Sequence, residues 1–281
     1  MKTVAITSVR RVGDRQPRVD QDLVAVESPL TLTVTHPSLD GTRSLGVLMR
    51  TPGDDQHLVL GLLHAEGIVR TMQDVESIEI DEATDASREI GDTARVALAR
   101  TIDPAVLPEG RPLVTTSACG LCGRLSVQGL DRARGRRDRS LHLSATALAA
   151  LTARLQAGQT IFAETGGLHA AAMFDGTGEP LALAEDVGRH NAVDKVVGAA
   201  LRGGKLPLTG GVLVVSGRVA FEIVQKAVMA GVAAVVAVGA PSSLAVDAAR
   251  AAGLTLVGFA RDGHGNVYVT SSATADMPPA P

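Results

Sequence analysis

Apolar residues in this chain follow one rhythm in the first part and another in the last. Residues 30–35, Leu-Thr-Leu-Thr-Val-Thr, alternate apolar side chains with threonine. A strand buried on one face requires that period of two. Residues 45–49 supply a partner strand, and residues 75–80 and 94–99 predict two more. Between the first pair and the second lies Thr51-Pro52-Gly53-Asp54-Asp55, which is turn chemistry, with Thr51 or Asp54 placed to cap a helix running to His64. The first part is therefore predicted to be α+β. It is preceded by residues 1–22, a polar stretch rich in Arg and Asp that predicts a flexible arm.

Residues 144–155 begin the second rhythm with helical spacing. A strand at 170–174 and a helix at 191–201 follow. A buried strand at 211–215, a helix at 221–230, a buried strand at 235–238 and a helix at 243–252 come next, before strands at 254–259 and 266–270. Such alternation predicts a central sheet with helices on its faces. The organisation read from the pattern is an arm (1–22), an α+β part (23–130), a basic loop (131–140), an α/β domain (141–272) and a Pro-rich disordered tail (273–281). The basic loop carries five arginines and two aspartates without an apolar face. Its plain reading is a solvated linker; its functional reading is a basic flap that meets an anionic ligand or an acidic partner.

Composition narrows the function. The chain has 281 residues and is 45% hydrophobic and 20% charged, as a soluble globular protein is. It has no Trp, one Tyr and four Phe, so stacked aromatics cannot form a platform for single-stranded nucleic acid. A net charge of −3 gives no global basic field for nucleic acid or anionic lipid. No apolar run approaches the ~20 residues that span a bilayer, and the start is too short in apolar residues for a signal peptide. A cytoplasmic protein is expected.

The two cysteines, Cys119 and Cys122, sit in Thr115-Thr116-Ser117-Ala118-Cys119-Gly120-Leu121-Cys122-Gly123. In a reducing compartment this spacing points to redox chemistry, sulfur chemistry or half a metal site rather than a structural disulfide. Flanking glycines leave the sulfurs sterically open, as a persulfide carrier needs. A thioredoxin-type dithiol would follow a strand and open a helix, a context that is not evident here. A structural zinc site needs four ligands, of which two cysteines supply half. His64-Ala65-Glu66 followed by the cysteine pair matches the H-x-E…C-x-x-C order of zinc deaminases, although Ala118 stands where those have Pro.

Two later segments carry candidate binding chemistry, the first of them dense in ionisable residues. One runs from Glu164-Thr165-Gly166-Gly167-Leu168-His169 to Glu185-Asp186-Val187-Gly188-Arg189-His190-Asn191-Ala192-Val193-Asp194-Lys195. There Glu185 and Asp186 are read as caps of the helix near Asn191, and His169 and His190 as groups that titrate near neutrality. The bland alternative is a buried ion-pair network of Asp186, Arg189 and Lys195. The other segment is Ser216-Gly217-Arg218, matched by Gly239-Ala240-Pro241-Ser242-Ser243; both link a strand to a helix, where backbone NH groups hold anions. The stretch Phe259, Ala260, Arg261, Asp262, Gly263 and His264 ends a strand in a Gly-rich turn with a stacking ring and a cation.

Together with Met49-Arg50-Thr51-Pro52-Gly53-Asp54-Asp55, these segments resemble the FdhD family of formate dehydrogenase accessory sulfurtransferases. The resemblance runs from about Pro29 to Val269, and the Glu185–Lys195 run is its most specific part. It implies an α/β fold with a cytidine-deaminase-like three-layer core lacking the deaminase zinc, and a smaller N-terminal α+β part. It implies a sulfur carrier that takes persulfide sulfur from a cysteine desulfurase and passes it to the molybdenum of a bis(molybdopterin guanine dinucleotide) cofactor, bound as substrate. Cys119 would be the persulfide residue and Cys122 the second thiol. Ser216, Gly217, Arg218, His190 and residues 259–264 would bind the cofactor. The implied partners are the desulfurase, the formate dehydrogenase catalytic subunit and a second copy of the chain, with no permanent metal, nucleic acid or membrane. A non-catalytic cofactor chaperone and a zinc-dependent deaminase are the alternatives.

Overall fold

A computed structural model describes residues 2–11, 18–83, 91–107 and 143–270. The first elements correct an expectation. Residues read as a flexible arm form strand β1 (Val4–Arg11), paired antiparallel with β2 (Arg18–Ala25). Their few apolar side chains gave the sequence little strand signal, because Ile6 and Val19 remain largely exposed.

The N-terminal unit is a four-stranded sheet. β3 (Ser28–Thr35) and β4 (Thr42–Arg50) form an antiparallel hairpin, β6 (Asp92–Leu98) runs parallel to β3, and β5 (Val75–Asp81) closes the far edge. Alternate residues Leu30, Leu32 and Val34 of β3, with Ala94, Val96 and Leu98 of β6, point to one face. Helix α1 (Asp55–Ala65) covers that face through Leu58, Leu62 and Leu63. Residues 58–65 are all buried, because the other side of α1 lies against the second unit.

That second unit is a six-stranded mixed sheet in the order β12-β11-β10-β9-β7-β8. Its strands are β7 (His169–Phe174), β8 (Pro180–Asp186), β9 (Val212–Val215), β10 (Ala234–Ala237), β11 (Thr255–Arg261) and β12 (His264–Val269). β9, β10 and β11 are parallel. Their short apolar runs are buried on both faces, as parallel strands under helices are. Val212 and Val214 face α2 (Ala145–Ala157), whereas Leu213 and Val215 face α4 (Arg189–Arg202), α5 (Phe221–Ala230) and α6 (Ser243–Ala252). The short α3 (Thr160–Thr165) lies between α2 and β7 in the chain.

α1 and α4 cross at two glycines. A Cβ on Gly61 would fall 1.9 Å from the Asp194 carbonyl oxygen, and one on Gly198 would fall 1.9 Å from that of His57. Only hydrogen fits at either place, so the crossing locks the two units backbone to backbone. No helix among the described residues is long and apolar enough to cross a membrane.

Candidate functional site

The parallel strands deliver two turns and one stretch of strand to one edge of the six-stranded sheet. Ser216-Gly217-Arg218 follows β9, the turn at 238–242 follows β10, and Gly258 and Phe259 are part of β11 alongside them. Backbone hydrogen bonds tie them in series: Gly239 NH donates to the Gly217 carbonyl at 3.2 Å, and Phe259 NH to the Gly239 carbonyl at 3.2 Å. Antiparallel β7 brings its first residue to the same edge. Ser216 Oγ accepts from Ala170 NH at 2.9 Å, and the His169 ring lies 3.2 Å from where a Gly217 Cβ would be.

The N-terminus of α4 completes the edge with Arg189 and His190. The Arg189 Nε and His190 Nε2 atoms are buried and have no hydrogen-bond partner among the described residues. The nearest carboxylate to His190 Nε2 is Glu222, at 3.8 Å, in the first turn of α5. Burial, followed by Arg189, Lys226 and His169, pushes the His190 imidazole down to about 3. Burial, then Arg189 and Arg218, also lowers His169, against the opposing pull of Asp186. Both rings are neutral near pH 7, in a field set by cations. An edge with the unpaired Arg189 Nε–H, strand-end amides and two arginines around His169 suits an anion.

The remaining residues singled out from sequence fall into place as follows. Phe259 is half exposed and holds a positive φ of 54°, which is strained for an aromatic residue. Ala260 points away, into the core beneath α2. Arg261, Asp262 and His264 are exposed, with Arg261 Nε 3.5 Å from Asp262, and Gly263 packs against Ala145 at the start of α2. Cys119, Cys122 and the basic loop 131–140 lie outside the described residues.

Two local readings need correction. Neither Glu185 nor Asp186 caps α4, whose N-cap is Gly188. Glu185 instead accepts from the Ile161 and Phe162 amides at 2.9 and 2.8 Å, at the start of α3. Neither Thr51 nor Asp54 caps α1 through its side chain: Asp54 is the N-cap residue but makes no side-chain cap bond. Thr51 faces the second unit, where its NH donates to Asp186 at 3.1 Å and its Oγ1 accepts from Val187 NH at 3.2 Å. Both partners are more than a hundred residues away in sequence, and no local signal marks them.

The ion-pair network is present in a different composition. Lys195 Nζ lies 2.7 Å from Asp186 and also donates to the Thr51 and Glu185 carbonyls. Arg189 is not part of it. Lys226 pairs with Asp194 at 2.6 Å. Burial raises the Asp194 carboxyl to about 6 while Lys226 pulls the other way. In the first unit, fully buried Arg50 meets Asp55 at 2.9 Å and Asp92 at 2.5 Å. Burial works against the Arg50 charge, but these two carboxylates raise its pKa overall.

His64, the histidine of the half-matched deaminase motif, is buried with both ring nitrogens within 3.1 Å of backbone carbonyls, those of Val69 and Met229. Burial lowers its pKa despite those carbonyls. A ring held in this way has no lone pair open to a metal.

The FdhD/NarQ family profile matches residues 25–274. The Nocardia farcinica protein named "Sulfur carrier protein FdhD" is 47% identical over 270 residues, covering 94% of this chain and 93% of that protein. A Mycobacterium tuberculosis protein of the same name is 43% identical over 270 residues, covering 92% and 94%. A crystal structure from Desulfotalea psychrophila, provisionally named a formate dehydrogenase accessory protein, superposes with a TM-score of 0.71 at 19% identity, over 96% of this chain and 98% of that one. That likeness establishes a shared mixed α/β fold. The family profile and the near full-length relatives go further: this chain belongs to the FdhD/NarQ family.

Proposed function

We propose that this protein is a sulfur carrier serving formate dehydrogenase. The observation that carries the reading is identity of 43–47% along nearly the whole chain to proteins named as sulfur carriers. In the proposed chemistry the Cys119 thiolate attacks the outer sulfur of a desulfurase persulfide. The desulfurase cysteine leaves as thiolate, and Cys119 holds the persulfide. Cys119 then delivers that sulfane sulfur to the molybdenum of a reduced bis(molybdopterin guanine dinucleotide) substrate; the metal supplies the two electrons that make the sulfur a sulfido ligand, the S–S bond breaks, and Cys119 is left as a thiolate. Cys122 is the neighbouring thiol that accepts or steadies the sulfur in transit.

The strand-end edge is the proposed dock for the dinucleotide. Its polyphosphate suits the α4 N-terminus, the turn at Ser216-Gly217-Arg218 and the unpaired nitrogens of Arg189 and His190. Phe259 offers a ring for a guanine face, and Arg261 a cation at the rim. The sheet with helices on both faces supports a cytidine-deaminase-like core. A cytoplasmic homodimer working with a cysteine desulfurase and the dehydrogenase subunit completes the proposal.

The test is activation of a formate dehydrogenase in cells lacking the endogenous carrier. Cys119→Ala is expected to abolish activation while the protein still accumulates. Full activation by Cys119→Ala would instead identify a chaperone that carries no sulfur.

A further inference from the structure

The segment Met49-Arg50-Thr51 stands out in the sequence, yet nothing above gives it a part in binding. Its surroundings do. On one side, Arg50 fixes it to the first unit: all three guanidinium nitrogens are engaged, by Asp55, Asp92 and the Ser28 carbonyl. On the other side, it grips the stretch that leads from β8 into α4. Thr51 NH donates to Asp186 Oδ2, and Val187 NH donates to Thr51 Oγ1. Lys195 donates to the Thr51 carbonyl at 2.9 Å, and Asn191 Nδ2 to the Met49 carbonyl at 2.8 Å. Asp186 Oδ1 closes the circuit by accepting from Gly188 NH and Asn191 Nδ2.

Residues 187 and 191 are thus both held by the β4–α1 turn, and Arg189 and His190 lie between them. We propose that Thr51 is a positioning residue for the anion-binding edge, its hydroxyl and backbone fixing residues 187–191 and so the direction in which Arg189 and His190 present their open nitrogens. The inference rests on the reading of that edge as an anion site. Thr51 itself touches no ligand. Its hydroxyl accepts the Val187 NH, which has no other hydrogen-bond partner among the described residues. Removing that acceptor frees the first link of the stretch while the rest of the circuit stays in place.

The experiment compares the full-length wild type, Thr51→Val and Thr51→Ser by two readouts: calorimetric affinity for guanosine diphosphate, and the imidazole NMR resonances of His190, His169 and His264 without ligand. Valine keeps the shape and removes the acceptor; serine keeps the acceptor. Thr51→Val is expected to weaken nucleotide binding about tenfold, the scale of one lost buried hydrogen bond. It is also expected to shift the His190 and His169 resonances while leaving His264, on the far hairpin, in place. Thr51→Ser restores both. An unmoved His190 resonance in folded Thr51→Val, or failure of serine to restore it, overturns the proposal. If the wild type binds no guanosine diphosphate, the reading of the edge fails, and the ligand-free resonances still decide the role of Thr51.

Discussion

Two arginines in this protein are withdrawn from solvent in opposite ways. Arg50, at the end of β4, has every guanidinium nitrogen engaged by Asp55, Asp92 or the Ser28 carbonyl. Arg189, at the start of α4, has a buried Nε with no partner among the described residues, and so does the neighbouring His190 Nε2. A buried donor without an acceptor costs about 1–3 kcal/mol, so a fold keeps such donors where something outside the fold will use them. The closed cluster is architecture, and the unpaired one is the proposed binding edge. Thr51 stands between them, one residue from Arg50 and hydrogen-bonded to the approach to Arg189.

Matched substitutions should separate the two clusters most sharply. Arg50→Met leaves Asp55 and Asp92 facing each other without their cation. It is expected to cost about 3–5 kcal/mol, the usual penalty for breaking a buried pair. Arg189→Met, read in the same urea melts, removes an unpaired buried donor and is expected to leave stability unchanged or raise it by about 1 kcal/mol. Equal costs at the two positions would erase the distinction.

A smaller effect lies in the pH dependence. His190 has a pKa near 3 in the folded protein, below its unfolded value of 6.5. Between those values the unfolded chain binds more protons, so stability rises with pH. The contribution is complete above pH 6.5 and is lost as pH falls toward 3. His190→Gln is therefore expected to flatten the acid limb of the stability profile by on the order of 2 kcal/mol, because a ring about a quarter exposed is partly screened. An unchanged acid limb in chemical denaturation from pH 3 to 7 would show that His190 is not held neutral by its surroundings.

Much of the second unit was legible from sequence because its signals are local. The buried strands β9 and β10 are uninterrupted apolar runs closed by Gly-rich turns, and the helices at 221–230 and 243–252 fall where the spacing places them. β8 was not legible: Leu181-Ala182-Leu183-Ala184 is short, and Glu185-Asp186 after it resembles helix-capping chemistry. In the structure Glu185 serves α3, while Asp186 divides itself between local partners at the α4 entry, Gly188 NH and Asn191, and Thr51 and Lys195, which the packing brings to it. The hairpin β1–β2 escaped because its apolar positions are sparse and exposed. For the site, residue types alone brought Ser216, Gly217, Arg218 and His190 forward. Glu222, and the part played by Thr51, became visible only when the α4 N-terminus was seen between the two units, since neither carries a motif that names its partner.

For the protein to work as proposed, the strand-end edge must seat an anionic nucleotide. Amide hydrogen exchange of the full-length protein with and without guanosine diphosphate tests this directly. Slowed exchange concentrated at residues 188–191, 216–219 and 239–242, with residues 49–55 unchanged, is the expected result. Protection confined to the α2 face or the four-stranded sheet, or no protection at saturating nucleotide, would contradict it.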